Sequence, residues 1–468
     1  MSQAKSDTFE IPELETVEKL ISKYDQPGPR YTSYPTAPVW IEEFGERDFR
    51  DALGRSPGGS ISVYIHIPFC ESLCSYCACN REIHRDHGVV GPYLEGLECE
   101  AERTAEAVGK PLQSVQLAMG GGTPTYLSAE ELSKLCDIVD AHFPPAQGAE
   151  RSIEVDPRST TREQLEVLAS KGFNRISLGV QDLSPKVQQA IHRVQSREET
   201  EVLAQSAREL GFGSVNFDLI YGLPYQTVES FDDTLNHVIE MRPDRIALYS
   251  YAHMTWVSRQ QRGFEKKDLP SPERKVAIFL MAMRRLGDAG YRFFGLDHFA
   301  LPDDELSLAA ETGELRRNFM GYTTRGALDL LGLGASSISE LSDAYAQSVR
   351  TSEEWIDRLA DGGFATMRGW HLSEGDRRRK WLIQHLMCQG QINPEAYRAR
   401  FDESLAERVP GLEERLAPLV ADGLLAPEGT GYGIRPLGRL FLRPVAMTFD
   451  EYLEPKGDGD QPRFSRTV

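Results

Sequence analysis

The stretch Tyr64-Ile65-His66-Ile67-Pro68-Phe69-Cys70-Glu71-Ser72-Leu73-Cys74-Ser75-Tyr76-Cys77-Ala78-Cys79-Asn80 decides how this 468-residue chain is read. It opens on the end of a short apolar, β-rich run, Ser62–Ile67. The loop that follows carries four cysteines spaced C-x3-C-x2-C-x-C. The other three cysteines, Cys99, Cys136 and Cys388, sit in helical patterns, where a thiol packs as a small apolar side chain. An odd total with one dense cluster is no disulfide framework; it reads as metal or redox chemistry.

Downstream of this loop, β-rich runs alternate with amphipathic helical patterns. The runs are Ser114–Met119, Ser152–Val155, Arg175–Val180, Ser214–Ile220 and Arg245–Tyr251, with a further candidate at Tyr291–Gly295. Between them lie helical patterns over 93–108, 129–142, 162–171, 197–210, 229–241 and 272–289. Three of these open on capping boxes: Ser128 with Glu131, Thr161 with Gln164, and Ser196 with Glu199. Serial βα units predict a parallel sheet with right-handed crossovers. The near-continuous apolar strands predict cover on both faces. The expected fold is α/β, a partial (β/α)6 barrel over 46–325 with its chemistry at the C-terminal strand ends. Residues 1–45 form an N-terminal extension containing Pro27 to Pro35, which reads as loop. A mainly helical C-terminal domain is expected over 326–454, anchored by Trp355, Trp370 and Trp381. A polar, disordered tail is expected over 455–468.

The formal charge is −19 (Lys+Arg 52, Asp+Glu 71). That balance argues against nucleic acid and anionic membrane surfaces, which need clustered cations. An anionic small substrate requires a locally basic pocket. No apolar run approaches the ~18 residues of a membrane span. The polar first ten residues lack the features of a signal or transit peptide, so the expected location is the cytoplasm.

Three thiolates from Cys70, Cys74 and Cys77 suit three irons of a [4Fe-4S] cubane and leave the fourth iron without a protein ligand. S-adenosylmethionine (SAM) can chelate that iron through its amino and carboxylate groups. Reductive cleavage of SAM is the chemistry such a site supports. The alternative is a zinc knot built from Cys70, Cys74, Cys77 and Cys79, but structural zinc sites favour two separated pairs. One βα unit later, Gly120-Gly121-Gly122-Thr123 offers exposed backbone N–H groups for a carboxylate, or is a plain turn. Glu154, Gln181 and Asp218 fall on successive strands, with Arg193 one segment beyond Gln181. Each alone could be a salt bridge; as a series they predict a ligand bed.

The C-x3-C-x-Y-C-x-C form, with Tyr76 before the third cysteine and Cys79 two beyond it, resembles the oxygen-independent coproporphyrinogen III oxidases. The resemblance runs from the Gly28–Pro35 segment to Tyr452. It implies a radical SAM barrel that holds two SAM molecules beside the cluster. The cluster-bound SAM would touch Tyr64, Gly121 and Glu154. The second would touch Tyr76, Gly122, Thr123, Gln181, Arg193, Asp218, Ala252 and Ile338. Cys79 would be needed for activity without ligating iron. Tyr76 stands where some relatives have phenylalanine, which keeps a stacking ring.

The implied reaction turns two propionates of coproporphyrinogen III into vinyl groups, giving protoporphyrinogen IX. A reducing partner such as a flavodoxin-like protein, and a monomeric state, are also implied. The resemblance also implies that the N-terminal extension, residues 1–45, reaches the active site through its Arg30 to Tyr34 segment, and Arg30 is a candidate contact for a substrate carboxylate. Two related activities share much of this pattern: haem chaperones, which usually lack the Cys79 position, and haem-opening radical SAM methyltransferases.

Overall fold

A computed structural model describes residues 11–256, 258–325, 328–453 and 464–467. Its centre is one twelve-stranded sheet. In chain order the strands are β1 (Gly59–Ile67), β2 (Leu112–Gly121), β3 (Pro145–Val155), β4 (Arg175–Gln181), β5 (Ser214–Tyr221), β6 (Arg245–Ser250), β7 (Arg292–Phe294), β8 (His298–Ala300), β9 (Asp329–Leu333), β10 (Ile338–Glu340), β11 (Ala344–Ser348) and β12 (Thr366–His371). Their spatial order is β12-β11-β10-β9-β1-β2-β3-β4-β5-β6-β8-β7. All pairings from β9 through β1 to β6 are parallel. The six strands read from the sequence are therefore the core of a partial barrel. Each keeps its buried apolar run, as a strand covered on both faces must.

The covering helices are α1 (Val90–Val108), α2 (Ala129–His142), α3 (Arg162–Ser170), α4 (Arg197–Glu209), α5 (Val228–Met241) and α6 (Pro272–Asp288). All three capping boxes form. Ser128 accepts from Glu131 N at 3.3 Å while Glu131 accepts from Ser128 N at 2.8 Å, and Thr161 and Ser196 do the same with Gln164 and Glu199. Such a cap satisfies two backbone donors that the helix leaves open.

The expected boundary at 325/326 falls before four strands, β9 to β12, that extend the barrel's own sheet. They are short, three to six residues each, and β10 to β12 pair antiparallel, so they lack the βα rhythm that marks the other strands. Helices α7 (Ser352–Ala360) and α8 (Glu374–Gln389) follow, then shorter helices and the hairpin Leu425–Glu428 with Gly431–Ile434. Trp355 anchors α7 against the barrel: its ring fills the space beside Gly96 in α1, and its indole N–H donates to Glu100 at 3.3 Å. Trp370 lies on β12, and Trp381 stacks on His385 within α8.

The N-terminal loop is buried between barrel and C-terminal helices. Tyr31 donates to Asp450 at 2.9 Å, and Tyr34 accepts from Glu451 N at 3.1 Å. Most of the expected polar tail lies outside the described residues. Its described part is packed rather than loose: Gly28 N donates to Ser465 O at 3.0 Å and Thr467 is buried. Among the described residues no helix is long and apolar enough to cross a membrane.

Candidate functional site

The cysteine loop leaves β1 at Ile67, at the C-terminal mouth of the barrel. Phe69–Cys70 pairs in parallel with Glu82–Ile83 and closes the loop. Ser75 N donates to Ile191 O at 2.9 Å, Gln261 donates to Tyr76 O at 2.9 Å, and Gln260 donates to Cys77 O. Beneath the loop, burial pushes His66 down to about 4, so its ring is neutral at pH 7. Its Nε2 faces Asn80 O at 2.9 Å and must donate there; its Nδ1 then accepts from the Tyr64 hydroxyl at 3.2 Å.

The glycine run fastens this loop. Gly122 N donates to Ile67 O at 2.8 Å and Thr123 N to Phe69 O at 2.9 Å. A Cβ at Gly122 would stand 2.6 Å from Pro68 O, so only glycine permits this approach. The expectation that these N–H groups are open to a methionine carboxylate is therefore corrected for Gly122 and Thr123, whose N–H groups are taken by carbonyls. Gly121 N has only a long contact, 3.4 Å, to the Glu154 carboxylate.

A cavity of about 800 Å³ opens in front of the loop, lined by Cys70, Cys74, Cys77 and Cys79. Cys70 Sγ lies 3.4 Å from Thr123 Oγ1. Guanidinium nitrogens of Arg158 and Arg193 each lie 3.7 Å from Cys74 Sγ. The hydrogen bond from Cys79, and then the charges of Arg81 and Arg193, bring the Cys77 thiol down to about 6 despite burial. Cations thus favour the thiolate at Cys77, whereas burial pushes the Cys70 thiol up to about 11. That environment fits an anionic sulfur ligand set, the donor chemistry of an iron–sulfur cluster. Among the described residues no three Cys, His, Asp or Glu side chains are grouped to hold a single metal ion. A cubane spaces its thiolates more widely than one zinc ion does.

The strand ends supply the polar bed. Arg193 donates to Asp156 at 2.8 Å and to Gly179 O at 2.7 Å; Arg158 meets the same Asp156 carboxylate at 2.7 Å. Burial would raise Asp156, but its two arginines outweigh it and hold the carboxyl below its usual range. Glu154 is raised to about 7 by burial and by Asp218. Burial also raises Asp218, against hydrogen bonds from Ser177 and Asn216 at 2.9 Å each. Gln181 holds a left-handed backbone, φ 64°, at the end of β4, a strained conformation for a non-glycine residue.

Of the residues singled out from the sequence, Tyr76, Gly121, Gly122, Thr123, Glu154 and Gln181 line the cavity, as do Arg193, Asp218, Ala252 and Arg30. Tyr64 and Ile338 do not. Tyr64 acts on the site through His66, and Ile338 packs by the cluster of Trp40, Tyr345 and Leu372. Arg30 faces the cavity but is ion-paired with Asp297 and lies 5.8 Å from the Tyr249 ring centre. Burial would raise Asp297; Arg30 and then His298 hold it well below the carboxylate range. Sequence reasoning missed Asp156 and Arg158. Their signal was present, two polar residues flanking Pro157 directly past the β3 carboxylate.

The lining balances Arg30, Arg81, Arg158 and Arg193 against Glu71, Glu154, Asp156 and Asp218, so the chain's acidity is not carried into the cavity. A recess of about 50 Å³ adjoins it through Arg30 and Ser250. There burial lowers Lys275 to about 8 and Arg443 to about 9.

The model for the Radical SAM superfamily matches residues 64–238. The chain is 42% identical to the oxygen-independent coproporphyrinogen III oxidase of Escherichia coli, over 96% of this chain and 98% of that protein. The protein of the same name from Pseudomonas aeruginosa is also 42% identical at the same coverage, and that from Synechocystis is 38% identical over 98% of this chain. Among solved structures, the coproporphyrinogen III oxidase from Escherichia coli, described as a radical SAM enzyme, superposes with a TM-score of 0.87, covering 90% of this chain and 97% of that one.

Proposed function

The chain belongs to the oxygen-independent coproporphyrinogen III oxidases, and from that premise we propose that it oxidatively decarboxylates two propionates of coproporphyrinogen III to vinyl groups in anaerobic haem biosynthesis. The observation that carries the reading is the four-cysteine loop held at the mouth of the barrel over a single cavity whose walls are the polar strand ends. A [4Fe-4S] cluster and SAM, when bound, supply one-electron cleavage of SAM and the radical that abstracts hydrogen from a propionate β-carbon.

The chain's own residues bind, orient and exclude water. Cys70, Cys74 and Cys77 hold the cluster, and Arg158 and Arg193 steady Cys74. Glu154, which titrates near neutrality, and Gly121 take the amino-acid part of the cluster-bound SAM. The paired Asp156 and Arg193, with Tyr76, Gly122, Thr123, Gln181, Asp218 and Ala252, form the bed for a second SAM. Tyr64 positions Gly121 through His66. The recess beside Arg30 and Lys275 receives a substrate carboxylate, since an anion there offsets the burial that pulls Lys275 down to about 8. The enzyme works as a cytoplasmic monomer and takes electrons from a flavodoxin-like donor.

The test is anaerobic reconstitution with iron, sulfide, SAM, a reductant and coproporphyrinogen III, followed by oxidation and chromatography. Protoporphyrin is the expected product. An intact cluster with no vinyl product, together with stoichiometric haem binding, would overturn the reading in favour of a haem-binding protein. Cys79→Ser is expected to keep its cluster absorbance and lose turnover; full activity would remove the role given to Cys79.

A further inference from the structure

A second large cavity, of about 490 Å³, lies at the opposite end of the barrel. Asp329, the first residue of β9, lines it and stands in register with Ile61 of β1. The cysteine loop begins beyond Ile67, so at ~3.3 Å per strand residue Asp329 lies about 20 Å along the strand from it, although Arg317 of the same lining reaches up to donate to Arg30 O at 2.7 Å. The far wall is α8, and the rim includes the hairpin Arg316–Asn318 with Gly321–Thr323.

In a chain of net charge −19, this cavity is strongly cationic. Among the described residues Arg316, Arg325, Arg377 and Arg400 all line it without a carboxylate partner, their side chains reaching the solvent at its rim. The acids present have partners of their own: Glu340 is paired through Oε1 with Lys380 at 2.7 Å, its Oε2 buried without a hydrogen bond, and Asp329 accepts from Ser342 N at 2.9 Å. The side-chain bonds of Arg316 and Arg377 go only to backbone carbonyls. Two further polar atoms of the lining, His385 Nε2 and Arg317 Nε, are buried and have no hydrogen-bond partner among the described residues. Burial, and then Arg316, lower His385, so its ring is neutral near pH 7. That ring stacks on Trp381 at 4.8 Å and 11°, giving the cationic walls one flat aromatic element.

Exposed guanidinium groups repel one another only weakly through solvent, whereas buried polar atoms without partners are costly. An anion that reaches several of the arginines at once gains their combined charge and can give the buried atoms a partner. We propose that the cavity at the foot of the barrel is a second binding site, for a compact polyanion bearing at least two carboxylate or phosphate groups. Guanidinium grips either group bidentately. The volume exceeds what a single small ion needs and is within the range of sites for small organic ligands. The site shares no lining residue with the catalytic cavity.

The test uses the full-length protein and calorimetric titration with sodium triphosphate and with citrate, at low and at raised salt. Arg325→Ala/Arg400→Ala is compared with Arg47→Ala/Arg398→Ala, which removes the same charge at exposed positions outside the cavity. The foot-cavity variant is expected to bind roughly tenfold or more weakly than wild type, the control much less so. Arg400→Glu alone is expected to act in the same direction. Preference for triphosphate identifies a phosphate-bearing ligand, preference for citrate a polycarboxylate. Melting temperatures report whether the variants are folded. If neither anion binds, or both double variants weaken binding equally, the proposal is overturned.

Discussion

Arg193 holds one guanidinium nitrogen 3.7 Å from Cys74 Sγ while the same nitrogen donates to Asp156 at 2.8 Å. One buried side chain thus connects the cysteine loop to the ends of β3 and β4. Lysine keeps the charge but cannot span Asp156, Gly179 O and the sulfur together. Arg193→Lys is expected to fold and to retain iron, yet to lose roughly 10- to 100-fold in kcat/KM for SAM, the value of a charge-assisted hydrogen bond. Iron content and SAM titration under anaerobic conditions check this. Unchanged kinetics would make the arginine dispensable.

Arg30 faces both the substrate cavity and the buried Asp297. Arg30→Ala leaves that carboxylate buried without its main partner. Breaking a fully buried pair costs about 3–5 kcal/mol, and less is expected here because Arg30 is a third exposed. Asp297→Asn in the same chain should recover much of the stability, read from urea midpoints. If activity returns with stability, Arg30 serves the fold; if activity stays low in the stable double variant, Arg30 serves the substrate.

Two helix glycines should respond with opposite signs. Gly287 of α6 is exposed and has nothing within 4 Å of a Cβ position, so Gly287→Ala should stabilise by up to about 1 kcal/mol through helix propensity. A Cβ at Gly96 would stand 2.5 Å from the Trp355 ring, so Gly96→Ala should destabilise by about 1–3 kcal/mol through overpacking. Thermal melts of both proteins, and of Gly96→Ala with Trp355→Phe, decide whether the ring is the cause.

Glu100 is buried in α1, and burial pushes its carboxyl up to about 8 from the ordinary 4.5, against hydrogen bonds from Gly334 N and Trp355. Between those values the folded state holds a proton that the unfolded chain has lost. The stability that Glu100 contributes is therefore greatest below about 4.5 and falls by at most roughly 1.4 kcal/mol per pH unit until about 8. Glu100→Gln should remove this slope and gain on the wild type as pH rises. Denaturant midpoints at pH 6 and 8.5 test it; parallel curves would show that Glu100 is not the group responsible.

The barrel and the cysteine loop were legible in the sequence because both are local patterns. Strands β1 to β6 are apolar runs separated by capped helices, and C-x3-C-x2-C-x-C is contiguous. Glu154, Gln181 and Asp218 could be grouped because serial βα units bring strand ends to one mouth. Strands β9 to β12 were not legible. They are short, and their pairing depends on β1, more than 250 residues upstream.

The sequence alone determined the fold class, the cysteine chemistry and the family, since periodicity and spacing are properties of the chain. Tertiary structure decided how the polar groups are used, because a hydrogen bond between distant segments leaves no trace in either one. It assigned the N–H groups of Gly122 and Thr123 to the carbonyls of Ile67 and Phe69, gave Arg193 to Asp156 and Arg30 to Asp297, and kept Tyr64 and Ile338 out of the cavity. It also gathered unpaired arginines from three separate segments at the foot of the barrel, where a net acidic composition gave no sign of them.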